Sequence, residues 1–187
     1  MRERYLAYME SALNEPIGDR VHLDKNPTLT LVLPGLLRLF PESRVLIALR
    51  DPRDVVISCF MQYLPLNANS VCFLTLERTA QRYANDMATW RKLRQMIASP
   101  WLEVRYEDAV ADLEKEVRRA LDFLGLPWES TVLNYRDRLK QKAVGSPTYE
   151  AVSQPLYTRA IGRWKHYEKF LAPCLPILQP SIDAFGY

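Results

Sequence analysis

Apolar positions recur at a helical spacing near the start of the chain, then in short unbroken runs, then helically again. Tyr5, Leu6, Met9 and Leu13 fall near a 3.6-residue period, which predicts a helix over 2–14. Val21-His22-Leu23 predicts a short strand. From Thr28 to Phe40 the spacing is helical, and Pro27 suits the first turn of that helix. Val45-Leu46-Ile47-Ala48-Leu49 is a continuous apolar run bounded by charge, the pattern of a strand buried on both faces. A helix is predicted over 54–63. A longer one over 76–97 sets Tyr83, Met87, Trp90, Leu93 and Ile97 on one face. Leu102 to Tyr106 predicts another strand. Leu113 to Leu124 predicts a helix with Val117, Leu121 and Leu124 inward and Gly125 as its C-cap. The remainder is looser, interrupted by Pro147, Pro155, Pro173, Pro176 and Pro180, with a helical turn from Gly162 to Leu171.

Strands that alternate with helices predict an α/β fold, its parallel sheet covered by helices on both faces. In such sheets ligands bind beyond the carboxyl ends of the strands. Three places then stand out: Asp24-Lys25, Arg50 to Ser58, and Tyr106. No repeat, low-complexity tract or long linker breaks the 187 residues, so 1–187 is expected to form a single domain.

Composition narrows the partners. A net charge of +3 without a clustered basic stripe argues against nucleic acid and suits a small anionic ligand. Cys59, Cys72 and Cys174 are scattered, without CxxC or Cys/His spacing, so neither a disulfide framework nor a zinc site is expected. A cytoplasmic setting is the simplest one for such thiols. His22 and His166 are isolated, which favours packing or surface roles over metal binding, and Trp90, Trp101 and Trp128 read as packing residues. No signal-peptide pattern follows Met1, and the longest apolar run, Leu29 to Leu37, is too short to cross a bilayer. No membrane partner is expected.

Arg50 closes the most apolar strand, and Ser58 lies eight residues on, inside the next helix. Asp51-Pro52 ends the strand, and Pro52 enters the turn without needing an amide donor. Arg50 can fork two hydrogen bonds onto phosphate oxygens, Ser58 can add a hydroxyl, and the helix start favours the same anion. The competing arrangement is a solvated cluster in which Arg50 and Arg53 pair with Asp51 and Asp54.

Arg50-Asp51-Pro52-Arg53-Asp54-Val55-Val56-Ile57-Ser58 after an apolar strand resembles the 3′-phosphate-binding motif of sulfotransferases that use 3′-phosphoadenosine 5′-phosphosulfate (PAPS). Further likenesses follow in the family's order. Asp24-Lys25-Asn26-Pro27 resembles the DKxP element of the tyrosylprotein and tetratricopeptide-associated branch. Val104-Arg105-Tyr106-Glu107-Asp108 resembles its RYEDL strand end, and Phe123 to Trp128 its FLGLPW helix end. Pro147-Thr148-Tyr149, Gln154-Pro155-Leu156-Tyr157 and Ile161-Gly162-Arg163-Trp164 resemble its C-terminal loop. The resemblance runs from about residue 15 to 175.

The resemblance implies a three-layer, P-loop-NTPase-like parallel sheet flanked by helices, with PAPS or its product 3′,5′-adenosine bisphosphate (PAP) as the bound nucleotide and no metal. Arg50 and Ser58 would bind the 3′-phosphate, Tyr106 would pack on or near the adenine, and Arg163 and Arg159 would lie where the C-terminal loop folds over the nucleotide. Lys25 matches the lysine that contacts the sulfuryl group and its bridging oxygen; otherwise it is an exposed lysine paired with Asp24. Thr148, or the neighbouring Ser146, matches a serine that contacts the sulfonate. Gln154 stands where tyrosylprotein enzymes carry a lysine. Asp24 and Asp54 read as scaffold that holds the neighbouring turns.

The family's PRSGTT-like loop and first strand have no counterpart ahead of Lys25, where none of the glycines has that setting. The general-base glutamate of the tyrosylprotein branch belongs to that same region. The chain is therefore expected to be the N-terminally incomplete remainder of a sulfotransferase domain. The expected function is transfer of a sulfuryl group from PAPS to an acceptor hydroxyl, with neither the acceptor nor the oligomeric state legible. A catalytically inactive nucleotide-binding or scaffold fragment is the alternative, and a P-loop-type phosphotransferase a weaker one.

Overall fold

The structure is a computed structural model that describes residues 1–134 and 157–187. Strand β1 (Val45–Leu49) pairs in parallel with β2 (Trp101–Arg105), in register from Val45 opposite Trp101 to Leu49 opposite Arg105. Val45 N–H extends the ladder by donating to the Pro100 carbonyl at 2.9 Å. Parallel pairing needs a crossover. Here it carries α3 (Pro52–Met61) and α4 (Leu76–Leu93), which pack on each other. The described residues thus form a mixed α/β fold, with a small parallel sheet and many helices.

The odd-numbered positions of β1 face the main core. Val45 and Leu49 join buried Leu33, Trp90 and Phe185, with Ile47 packed against them. Ala48, on the other face, is exposed. The unbroken apolar run had predicted burial on both faces, and only one is fully covered. A second core lies between α3, α4 and the C-terminal helices, where Val56, Ile57 and Ala80 meet Leu171, Cys174, Leu178 and Ile182.

Local chemistry sets the helix ends. Thr75 caps α4 by accepting from Arg78 N–H at 3.2 Å. Asp112 likewise caps α6 (Leu113–Leu124), which ends on Gly125 at φ 72°, a left-handed conformation that favours glycine. Trp90 is fully buried in α4 and donates through Nε1 to Glu103 of β2 at 2.7 Å.

Three expectations need correction. Val21 to Leu23 form no strand: Val21 and Leu23 are exposed, while His22 turns inward against the Tyr5 ring of α1 (Arg2–Leu13). A three-residue run has too little apolar face to hold a strand without a pairing neighbour. The helix expected over 28–40 is a 3₁₀ turn at Leu29–Leu31 followed by α2 (Leu33–Leu39), because Pro34 supplies no amide and fits only near a helix start.

The loose tail is instead helical. Short α7 (Glu168–Leu171) leads through the turn Ala172–Cys174 into α8 (Leu175–Phe185), which buries Leu178, Ile182 and Phe185 against α4 and α3. Pro173 and Pro176 sit at first-turn positions, and burial carries α8 through Pro180. Among the described residues no helix is long and apolar enough to cross a membrane.

Candidate functional site

The site grows from a chain reversal at the carboxyl end of β1. Asp51 is nearly buried and caps α3, its carboxylate accepting Arg53 N–H at 2.9 Å, and Pro52 takes a first-turn position where an amide would be idle. The Arg53 side chain forks back onto the same carboxylate at 2.9 and 2.8 Å and lies 4.1 Å over the Trp164 ring. Asp51 and Arg53 are therefore the self-contained pair that the sequence also allowed.

Arg50 is differently placed. Its guanidinium carbon stands 4.7 Å above the centre of the Tyr106 ring, where α5 (Tyr106–Ala111) begins at the end of β2. One nitrogen donates to the Ala160 carbonyl at 2.5 Å, and Asp54 is 3.9 Å away, an ion pair too long for a hydrogen bond. Nε is buried and has no hydrogen-bond partner among the described residues. An unfilled buried donor of this kind costs about 1–3 kcal/mol. Beside a helix start, it suits the oxygens of an anion.

Asp54 ties a distant loop to this turn. It is 1% exposed; Oδ2 accepts Gly162 N–H at 2.7 Å and Oδ1 accepts Trp164 N–H at 2.8 Å. Burial pushes its carboxyl above the usual Asp range, while the two backbone bonds and Arg50 pull it down. Gly162 adopts φ 69°, which lets the loop turn both amides toward one carboxylate. Asp54, Ser58 and Met61 fall on one stripe of α3 by their spacing. Arg163 reaches the Met61 sulfur at 3.5 Å, so the loop is anchored on both sides of Ser58 along that stripe.

Tyr106 is half-buried. Burial raises its phenol pKa; Arg50 lowers it, while Tyr157, Glu107 and Asp54 raise it further. Arg159 stacks 4.2 Å over the Tyr157 ring. Glu107 braces the reversal from below, one oxygen accepting Asp51 N–H at 3.0 Å and the other the Tyr187 hydroxyl at 3.2 Å.

The fold thus gathers Arg50, Tyr106 and the Arg163 loop, with Ser58 on the helix stripe the loop follows and Arg159 on the loop's approach. Lys25 is exposed in the irregular segment 21–26, and no described hydrogen bond or ion pair joins it to the group. Nor does it pair with Asp24, which accepts the Tyr5 hydroxyl at 2.7 Å. Thr148, Ser146 and Gln154 lie outside the described residues. The bracing by Glu107 and Tyr187 was not anticipated. Glu107 stands beside Tyr106 in the strand-end motif Val104 to Asp108, which is a signal for it, whereas nothing in the sequence marks Tyr187.

A family model described as "Sulfotransferase family" matches residues 2–130. Among curated proteins, the chain is 28% identical over 151 residues to an uncharacterized protein of Aquifex aeolicus, covering 79% of this chain and 19% of that one. It is 24% identical over 171 residues to protein-tyrosine sulfotransferase 2 of Gallus gallus, covering 81% of this chain and 42% of that one. To protein-tyrosine sulfotransferase 1 of Danio rerio it is 24% identical over 154 residues, with 75% and 41% covered. The chain therefore spans less than half the length of each of these relatives.

Proposed function

The chain belongs to the sulfotransferase family, and we propose that it takes part in sulfuryl transfer from PAPS to an acceptor hydroxyl, with Arg50 at the nucleotide's 3′-phosphate. The observation that carries this is the Arg50 guanidinium itself, half-buried at a strand end, stacked on Tyr106 and left with a buried, unpartnered Nε among the described residues. A phosphate oxygen would fill that donor. Ser58 would add its hydroxyl from the same stripe of α3, and Arg163 and Arg159 would bring charge from the loop.

PAPS would supply the activated sulfuryl group. Lys25 is the candidate for stabilising charge on the bridging oxygen, since sulfuryl transfer, like phosphoryl transfer, gains most from charge placed on the leaving side. Thr148 is a further candidate, for the sulfonate. The wider three-layer parallel sheet belongs to the same reading, as does the assignment of 1–187 to one domain. The names of the relatives from Gallus gallus and Danio rerio make a tyrosine hydroxyl one acceptor worth testing.

Calorimetric titration with PAP tests the nucleotide half. Binding that weakens markedly when the 3′-phosphate is omitted from the ligand is expected, and no detectable binding would remove the proposal. Radiolabelled sulfuryl transfer from PAPS to tyrosine peptides and to simple alcohols tests the acceptor half.

A further inference from the structure

The loop from Ala160 to Trp164 is held to α3 chiefly through backbone groups. Arg50 binds the Ala160 carbonyl, and Asp54 binds the amides of Gly162 and Trp164 across 108 and 110 positions of sequence. Side chains add Arg53 against the Trp164 ring and Arg163 against Met61. A single buried carboxylate thus supplies two of the backbone bonds that hold this loop. The same carboxylate stands 3.9 Å from the guanidinium assigned to the 3′-phosphate.

We propose that Asp54 is a positioning residue: its carboxylate latches the 160–164 loop onto the first turn of α3, and closure of that latch is coupled to anion binding at Arg50. This rests on the nucleotide reading above. Arg50 touches both partners, because the guanidinium that would hold the phosphate also holds the Ala160 carbonyl. With the latch closed, the loop and Arg50 are ordered before the ligand arrives, which lowers the ordering cost of binding. By reciprocity, the bound ligand strengthens the latch.

Asp54 has a second conceivable role, as plain counter-charge to Arg50, and the two roles predict opposite signs. Asp54→Asn removes a negative charge beside Arg50, which on electrostatics alone tightens binding of an anion. As a latch, the same change puts an amide donor against a backbone donor and frees half of the clasp. The coupled latch therefore predicts weaker binding, on the order of tenfold, within the usual range for linked sites.

The test is PAP titration of wild type and Asp54→Asn, with a cooperative thermal transition confirming that the variant folds. Weaker binding supports the latch; unchanged or tighter binding overturns it. Hydrogen exchange on the wild-type chain gives a second reading that does not depend on the variant folding. The Gly162 and Trp164 amides are expected to exchange more slowly with saturating PAP, and unchanged exchange overturns the coupling. If the wild type binds no PAP, the nucleotide reading falls and the coupling with it. If the wild type and the folded variant bind alike, the coupling alone falls.

Discussion

Arg50→Ala separates what the guanidinium does for the fold from what it does for a ligand. In the protein it makes one charged hydrogen bond to the Ala160 carbonyl and one stacking contact with Tyr106. The first contributes about 1.5–2 kcal/mol net and the second about 0.5–1. The change also relieves the Nε left unfilled among the described residues, which gives back about 1–3 kcal/mol, so the net stability loss is expected to be no more than about 2 kcal/mol. For a chain of this size that lowers Tm by no more than about 8 °C. For a bound 3′-phosphate the variant loses a forked, charge-assisted contact of about 1.5–3 kcal/mol, or about 10- to 150-fold in affinity. Differential scanning calorimetry reads the first quantity. Titrations with PAP and with adenosine 5′-phosphate read the second, because only PAP carries the 3′-group. Wild type is expected to prefer PAP, and Arg50→Ala to lose most of that preference. Arg50→Lys, which keeps the charge without the fork, should fall between. A folded Arg50→Ala chain that still prefers PAP as wild type does would refute the assignment.

Further expectations concern other links in the same argument. Trp90→Ala empties a fully buried site and removes a donor to Glu103, so a loss of about 3–5 kcal/mol is expected in urea unfolding; a loss below about 1 would contradict its place in the core. Lys25→Ala should leave stability within about 0.5 kcal/mol, since the side chain is exposed. It should keep PAP affinity while lowering sulfuryl-transfer turnover by about 100-fold or more, and unchanged turnover would remove its role. Burial raises the Asp54 pKa in the folded chain above its unfolded value near 3.9. The folded state then holds that proton more tightly, so the contribution is fully present below the unfolded value and fades as pH rises through the folded one. The stability of wild type relative to Asp54→Asn should accordingly decline with rising pH across that window. A difference that grows with pH would contradict the direction of the shift.

Much of the site's address was legible in one dimension. An apolar run ending in Arg50, then Asp51-Pro52, specifies a strand, a cap and a helix start, because each depends on residues within a few positions of one another. The same holds for the caps at Thr75 and Asp112 and for Gly125. Elsewhere the local signal misled. Prolines at 173, 176 and 180 read as a broken tail, yet burial of Leu178, Ile182 and Phe185 outweighs the missing bond at Pro180. Val21 to Leu23 has the composition of a strand, but a strand exists only by pairing, and these residues lie instead beside α1.

Sequence by itself determined the alternation of strands and helices, the strand-to-helix turn at Arg50 to Ser58, and the order of motifs that signals the family. Spacing and residue type carry all of these, and neither needs a distant partner. Tertiary structure decided which Arg–Asp pair is closed and which guanidinium keeps a donor unfilled among the described residues. Asp51 satisfies Arg53 within the turn, whereas Asp54 spends both oxygens on amides more than a hundred positions away and stays 3.9 Å from Arg50. Those amides belong to a loop that only the packing of the C-terminal helices on α3 brings within reach, and spacing along the chain holds no record of that distance.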